Sequence, residues 1–187
     1  MGISMVTAIV VIPPVNDGEL LGKVIGYMER SLTKAGLNNV VFCGPLKGAR
    51  IPGLVALATY VDYNYVSSRG LLKACIEVNV KPPIMLIRGS QPYLSPETYA
   101  EALWALSSFN RPIVVLSRGG RGLSTPILVS SSKLVSRLVW LNSRFKLASA
   151  MVRFLIEHKR DVLLVEVKDE CLGVRLSPSA CLSRINE

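Results

Sequence analysis

The run Ile84–Ile87 (IMLI), entered through Pro82-Pro83, constrains the fold more than any other stretch. A continuous apolar run of that length suits a strand buried on both faces, as in a parallel sheet covered by helices. The loop Arg88-Gly89-Ser90-Gln91-Pro92-Tyr93 follows, and Ser95-Pro96 then supplies a helix N-cap and a proline at the first helical position. Tyr99, Ala102, Leu103 and Leu106 fall on one face at helical spacing. A buried strand, a short loop at its carboxyl end and a helix make half of a βαβ unit. In open α/β sheets that loop edge is where ligands bind.

The rest of the chain repeats the alternation. Val6–Ile12 reads as a strand ended by Pro13-Pro14. The spacing then predicts a helix over Glu19–Ala35, with Leu21, Val24, Ile25, Met28 and Leu32 as its buried stripe and Gly36 as its stop. Asn39–Cys43 is a second strand, Gly44–Gly53 a basic Gly/Pro-rich loop, and Leu54–Tyr60 a short apolar segment open to either helix or strand. Ser67-Ser68-Arg69-Gly70 opens a helix that is expected to run to about Val78. Strands are expected at Pro112–Leu116, Pro126–Val129 and Asp161–Val167. Helices are expected over Ser131–Leu141, over a segment capped by Asn142-Ser143 with stripe Phe145, Ala148, Val152 and Leu155, and after Ser177-Pro178. Strands alternating with helices predict a three-layer α/β sandwich with a mostly parallel sheet. No repeat or linker interrupts residues 1–187, so a single domain is expected, large enough to bury its own core.

Composition narrows the function classes. No apolar stretch has the length of a membrane span, and the opening Met1–Val11 lacks the basic region of a signal peptide, so the expected location is the cytoplasm. Cys43, Cys75, Cys171 and Cys181 lack CxxC spacing, and the one histidine, His158, ends a helical pattern where a cation suits the helix dipole. No zinc site is expected from this set. The cysteines are expected to be reduced core residues, hyperthermophile cytosolic proteins being the exception to that rule. The formal net charge is +9, and its position matters more than its size. Between Ala102 and Ile156 stand Arg111, Arg118, Arg121, Lys133, Arg137, Arg144, Lys146 and Arg153, with no carboxylate among them. Such a stretch is either a solvated basic surface or a face that meets phosphate.

GSQPYLSPETYAEAL (Gly89–Leu103), LLGKVIGYMERSLTKAG (Leu20–Gly36), TPILVSS (Thr125–Ser131) and LSPSACLSRI (Leu176–Ile185) stand in this order along the chain. They resemble, in turn, the G-D-x-P-x-[LI]-x-x-E element, the first helix, the returning Pro segment and the closing motif of small nucleotidyltransferases with a GT-A-like fold. The resemblance is to the molybdenum-cofactor guanylyltransferase group, with 2-phospho-lactate guanylyltransferases as more distant kin. It implies a nucleotide-diphospho-sugar transferase type of sheet and a nucleotide or other phosphorylated small molecule as ligand. It also places Lys23, Arg88 and Ser90 near the ligand edge.

The departures from that pattern carry as much chemistry. Where the family has a Gly-Gly loop with Arg and Lys for the nucleotide phosphates, this chain has Ile12-Pro13-Pro14-Val15-Asn16-Asp17-Gly18. Two prolines remove two amide donors from that phosphate cradle. Ser90 occupies the place of the family's metal-binding Asp, and at the closing motif the expected acids align with Val174, Leu176 and Ala180 or Cys181. Nucleotidyl transfer needs Mg²⁺ on hard oxygen ligands, usually carboxylates. No metal site is therefore expected here, and Mg²⁺ is implied only if catalysis is retained. Asp17 and Glu19 in the first loop, with Asp62, are the acids that could stand in; caps and surface positions are their ordinary roles. Ser117-Arg118-Gly119-Gly120-Arg121-Gly122 offers a second anion site, its glycines able to turn amides toward one anion beside two arginines, or else an ordinary surface loop.

Three functions follow as expectations. The first is a nucleotidyltransferase-like pseudoenzyme that binds a nucleotide or phosphorylated ligand, or pairs with an active protein partner. The second is an active guanylyl- or cytidylyltransferase of cofactor biosynthesis with a rearranged site using Asp17 or Glu19. The third is a nucleic-acid-binding module on the basic 102–156 stretch, disfavoured because aromatics are scarce and not interleaved with arginine.

Overall fold

The computed structural model describes residues 5–49, 58–77, 80–120, 125–176 and 180–186. Its strands are β1 (Thr7–Val11), β2 (Asn39–Gly44), β3 (Ala58–Asp62), β4 (Ile84–Arg88), β5 (Ile113–Ser117), β6 (Ile127–Val129) and β7 (Val162–Glu166). Its helices are α1 (Gly18–Lys34), α2 (Leu71–Ile76), α3 (Pro96–Ser108), α4 (Ser132–Arg144) and α5 (Leu147–Glu157), with a closing 3₁₀ helix over Ala180–Ile185. The strands form one sheet in the order β3-β2-β1-β4-β6-β5-β7. All neighbours are parallel except β6, which runs antiparallel to both β4 and β5. Each β6 ladder holds only three residue pairs, against five in the β1–β4 ladder.

Ile84–Ile87 lies in β4, inside the sheet, and Ser95 caps α3 by accepting a hydrogen bond from the Thr98 amide. Alternate strand residues face opposite layers because successive side chains leave a strand on opposite sides. Ala8, Val10, Phe42, Met85 and Ile87 pack with Leu21, Val24, Ile25 and Met28 of α1 and with Tyr99 and Ala102 of α3. Ile9, Val11, Leu86, Ile113 and Ile127 pack with α2, α4 and α5 on the other face. The expected three-layer α/β sandwich is present.

Several expectations require correction. The predicted Leu54–Tyr60 segment ends in a strand, β3, which runs on to Asp62; residues 50–57, and with them the later part of the predicted Gly44–Gly53 loop and the earlier part of that segment, lie outside the described residues. Asn142 does not cap the fifth helix but lies fully buried within α4. Its Oδ1 accepts from the Leu72 amide at 2.9 Å, and its Nδ2 donates to the Ser68 carbonyl at 2.8 Å, so it holds the start of α2. The buried stripe of α5 is Leu147, Ala150, Met151, Phe154 and Leu155, while Val152 is exposed. Phe145 precedes the helix, which shifts the stripe away from the predicted register.

The cysteines are paired, not reduced: Cys43 with Cys75 and Cys171 with Cys181. The first pair ties β2 to α2 in the core, and the second closes a ten-residue separation near the C-terminus. Separations of 32 and 10 residues carry no local pattern in the sequence, which is why the pairing was not read there.

Among the described residues one carboxyl is buried without full partnership. Glu29 of α1 is 2% exposed; its Oε2 accepts from the Tyr60 hydroxyl at 3.3 Å, and its Oε1 has no partner. Burial pushes the Glu29 carboxyl above the usual carboxylate range, against the Tyr60 hydrogen bond and the nearby Arg30. Burial and the adjacent Glu29 push the Tyr60 phenol up to about 12.

Candidate functional site

The chain leaves β1 toward β2 on one side and returns from β3 through α2 to β4 on the other side of β1. The order of strands therefore reverses between β1 and β4, which is the switch point where open α/β sheets hold ligands. Val11 and Arg88 stand opposite one another at the carboxyl ends of these two strands. A cleft of about 360 Å³ opens beside them, walled by Pro13-Pro14, the 65–68 loop, Ser90 and the first residues of α5.

Close backbone packing forms its floor. The Gly89 amide donates to the Val11 carbonyl at 2.7 Å. A Cβ at Gly89 would stand 2.9 Å from that oxygen and 3.0 Å from the Ile12 side chain, so only glycine allows the approach. The Tyr65 hydroxyl donates to the Ile12 carbonyl at 2.8 Å and fastens the 65–68 wall over the end of β1. Ser68 accepts from the Leu147 amide at 3.1 Å and so caps α5 from a distant part of the chain. Lys146 precedes α5 without a capping bond of its own and lines the cleft together with Leu147 and Ala148. A helix start carries partial positive charge and favours an anion nearby.

The electrostatics point the same way. Burial lowers the proton affinity of the Arg88 guanidinium, and the like charge of Arg175 lowers it further, with Tyr65 opposing. Burial raises the Tyr65 phenol, and Arg88 partly counters this. None of the described residues lining the cleft is acidic. A half-buried guanidinium beside a second one and a lysine is a setting that an anionic oxygen would relieve.

The other predicted residues sit elsewhere. Asp17 caps α1, its Oδ1 accepting from the amides of Glu19 and Leu20 at 3.0 Å. Glu19 lies 3.4 Å from Lys23 in an exposed pair, and neither residue lines the cleft. Asp62 accepts from the Leu46 amide at 3.0 Å. These acids do not converge, and among the described residues no group of His, Cys, Asp and Glu is placed to hold a metal ion. Ser90 lines the cleft and accepts a hydrogen bond at its carbonyl from the Leu176 amide. A hydroxyl there brings no charge to a divalent cation, so the residues present do not fit a carboxylate-held Mg²⁺.

Arg118 and the glycines after it lie beyond β5 on the same sheet edge, with Gly119 and Gly120 at φ of 58° and 66°. The Gly119 amide donates to the Glu166 carboxylate, and Arg118 Nη1 donates to the Glu170 carbonyl at 2.8 Å. Arg121 lies outside the described residues. Sequence reasoning missed Tyr65, Ser67, Ser68 and Lys146 as cleft residues. The Ser67-Ser68 pair is visible as a helix start, but its reach to α5 depends on tertiary packing.

No family model matches the chain, and no curated protein matches it. Solved structures do. Rv0371c of Mycobacterium tuberculosis superposes with a TM-score of 0.68 at 16% identity, over 89% of this chain and 90% of that one. A 4-diphosphocytidyl-2C-methyl-D-erythritol synthase from Anaerococcus prevotii gives 0.70 at 13% identity, over 97% and 96%. The fold is that of the nucleotidyltransferases. A nucleotidyl transferase from Methanothermobacter, Mth528, gives 0.65 at 14% identity over 88% of each chain. Rv0371c has also been solved in complex with manganese. Within that fold, the cleft at the switch point of this chain is lined by Arg88 and Lys146 and by no acidic residue among those described.

Proposed function

We propose that the chain is a nucleotidyltransferase-like protein, akin to the molybdenum-cofactor guanylyltransferase group, that binds a nucleotide or other phosphorylated small molecule without metal-dependent transfer. The observation that carries this is the pairing of Arg88 and Lys146 in a cleft with no acidic lining, while Asp17, Glu19 and Asp62 are each engaged elsewhere. Arg88 would hold phosphate oxygens in bidentate fashion, Ser90 and Ser67 would donate hydroxyl hydrogen bonds, and the start of α5 with Lys146 would balance the remaining charge. In this reading Arg118 and Gly119 serve the loop around Glu166 and Glu170 and not the ligand. The two disulfides suit a cytoplasmic location only where cytosolic disulfides persist, as in hyperthermophiles.

The test is a thermal-shift and calorimetric screen of the nucleoside mono-, di- and triphosphates, with Mg²⁺ and with a chelator. Stabilisation that is unchanged by the chelator and lost in Arg88→Ala is expected. Binding that requires Mg²⁺ would overturn the reading.

The second reading is an active nucleotidyltransferase, and the neighbours of that activity among solved structures favour it. Pyrophosphate release from a nucleoside triphosphate, abolished by Asp17→Asn with the fold intact, would establish it.

A further inference from the structure

Outside the cleft, the outer surface of α4 and α5 brings exposed apolar and cationic side chains together. Lys133, Arg137, Trp140 and Arg144 recur at intervals of four, three and four residues, so they share one face of α4. Trp140 is 45% exposed, with the Arg137 guanidinium 4.3 Å and the Arg144 guanidinium 5.2 Å from its ring centre. Arg137 continues onto α5 by a bidentate pair with Glu157, both contacts at 2.9 Å. From there a shallow groove of about 660 Å³ runs along α5 over Val152 and Ile156, which are 41% and 64% exposed. The Arg153 guanidinium stacks 4.1 Å from the Phe145 ring beside it. The two helix faces are therefore one continuous strip, and it reaches Ala148, which also lines the ligand cleft.

We propose that this strip docks an acidic, amphipathic segment of a partner protein. The chemistry selects the occupant. Glu157 is the only carboxylate in either helix, and Arg137 already holds it. Lys133 and Arg144 have no carboxylate partner among the described residues, so the strip is complementary to acids. Val152 and Ile156 offer a phosphate backbone nothing, but they offer apolar side chains a surface that excludes water. Exposed tryptophan and arginine beside aliphatic residues match the make-up of protein interface centres. Both arginines beside Trp140 occupy the ring that a nucleic-acid base would stack on. A second copy of this chain would bring a like charge of +9 to the same face. The inference is independent of what the cleft binds.

The test is selection of a random 16-residue peptide library on the full chain, with each enriched peptide then measured by fluorescence anisotropy against the wild type, Trp140→Ala and Ile156→Glu. All three surfaces should melt alike, because both residues are exposed. Enrichment of peptides carrying several Asp or Glu residues and apolar residues at helical spacing is expected, with affinity reduced tenfold or more by either substitution and weakened by salt. A uridine 20-mer and sedimentation of the free chain complete the experiment. The proposal is overturned if no peptide is enriched, or if enriched peptides bind the variants as well as the wild type. It is also overturned if the 20-mer binds more tightly than any peptide and loses affinity in the variants, or if concentration-dependent dimers form and vanish in them.

Discussion

Replacing Asp169 with Asn tests how the C-terminal segment is held. Its side chain is 3% exposed and receives four hydrogen bonds. Oδ2 accepts from the Ser95 amide at 3.0 Å and the Thr98 hydroxyl at 2.7 Å. Oδ1 accepts from the Cys171 amide at 3.0 Å and Arg184 Nη1 at 2.9 Å. Asparagine keeps one acceptor and turns an NH₂ toward donors on the other side. One buried amide is then unsatisfied, at about 1–3 kcal/mol, and a charge-assisted bond to Arg184 is weakened. Breaking a buried pair costs about 3–5 kcal/mol, but Arg184 is 27% exposed and recovers part of its hydration. A loss of about 3 kcal/mol follows, which for a chain of this size lowers Tm by about 6–12 °C. Burial alone would raise the Asp169 carboxyl, but the hydrogen bonds from Ser95, Thr98 and Cys171 and the charge of Arg184 outweigh it and hold it below the usual range. Its folded value is thus depressed, so its contribution is complete above the unfolded value near 3.9 and fades as pH falls through the folded value. Melting and denaturant titrations of both proteins from pH 7 down to pH 2 measure this. A variant within about 0.5 kcal/mol of the wild type at pH 7, or a gap that persists undiminished at pH 2, would refute the reasoning.

Arg88→Ala should weaken a phosphate-bearing ligand by about ten- to a hundredfold, from roughly 1.5–3 kcal/mol for a charge-assisted bond, and Arg88→Lys should restore part of it; calorimetry reads both. Arg118→Ala should leave that affinity unchanged in the same titration, because its guanidinium serves the Glu170 carbonyl. Glu29→Gln should raise Tm at pH 8 and change nothing at pH 3. The folded Glu29 carboxyl is raised, so the native state binds more protons than the unfolded chain and loses stability as pH climbs through that window.

Local chemistry made much of the fold readable. The apolar runs at β1, β2, β4, β5 and β7, the Ser95-Pro96 start of α3 and the stripe of α1 all follow from patterns that act within a few residues. What escaped depends on partners far along the chain. Asn142 looks like a cap in sequence and is one, but for α2, 70 residues away, and not for the helix that follows it. Ser68 caps α5 across 79 residues. The antiparallel course of β6 has no signature in ILV, since a fully buried strand reads the same in either direction. At the site, Arg88 and Ser90 were legible because they end a recognisable strand. Lys146 was legible only as one charge among eight, because its position depends on where α5 begins.

The three-pair ladders on either side of β6 give the sheet a narrow waist. On one side β3, β2, β1 and β4 form a block, and on the other β5 and β7 form a second. The segment after β7 crosses that waist. Asp169 binds the start of α3, the Gly173 carbonyl receives Gln91, the Leu176 amide binds Ser90, and Arg184 binds the Tyr93 carbonyl. Those contacts return to the loop between β4 and α3, where Ser90 enters the cleft. Thermal breathing along the waist would thus be resisted by a strap anchored at the candidate site, and a ligand that stiffened Ser90 there would slow amide exchange in β5 and β7, well away from any atom it touches.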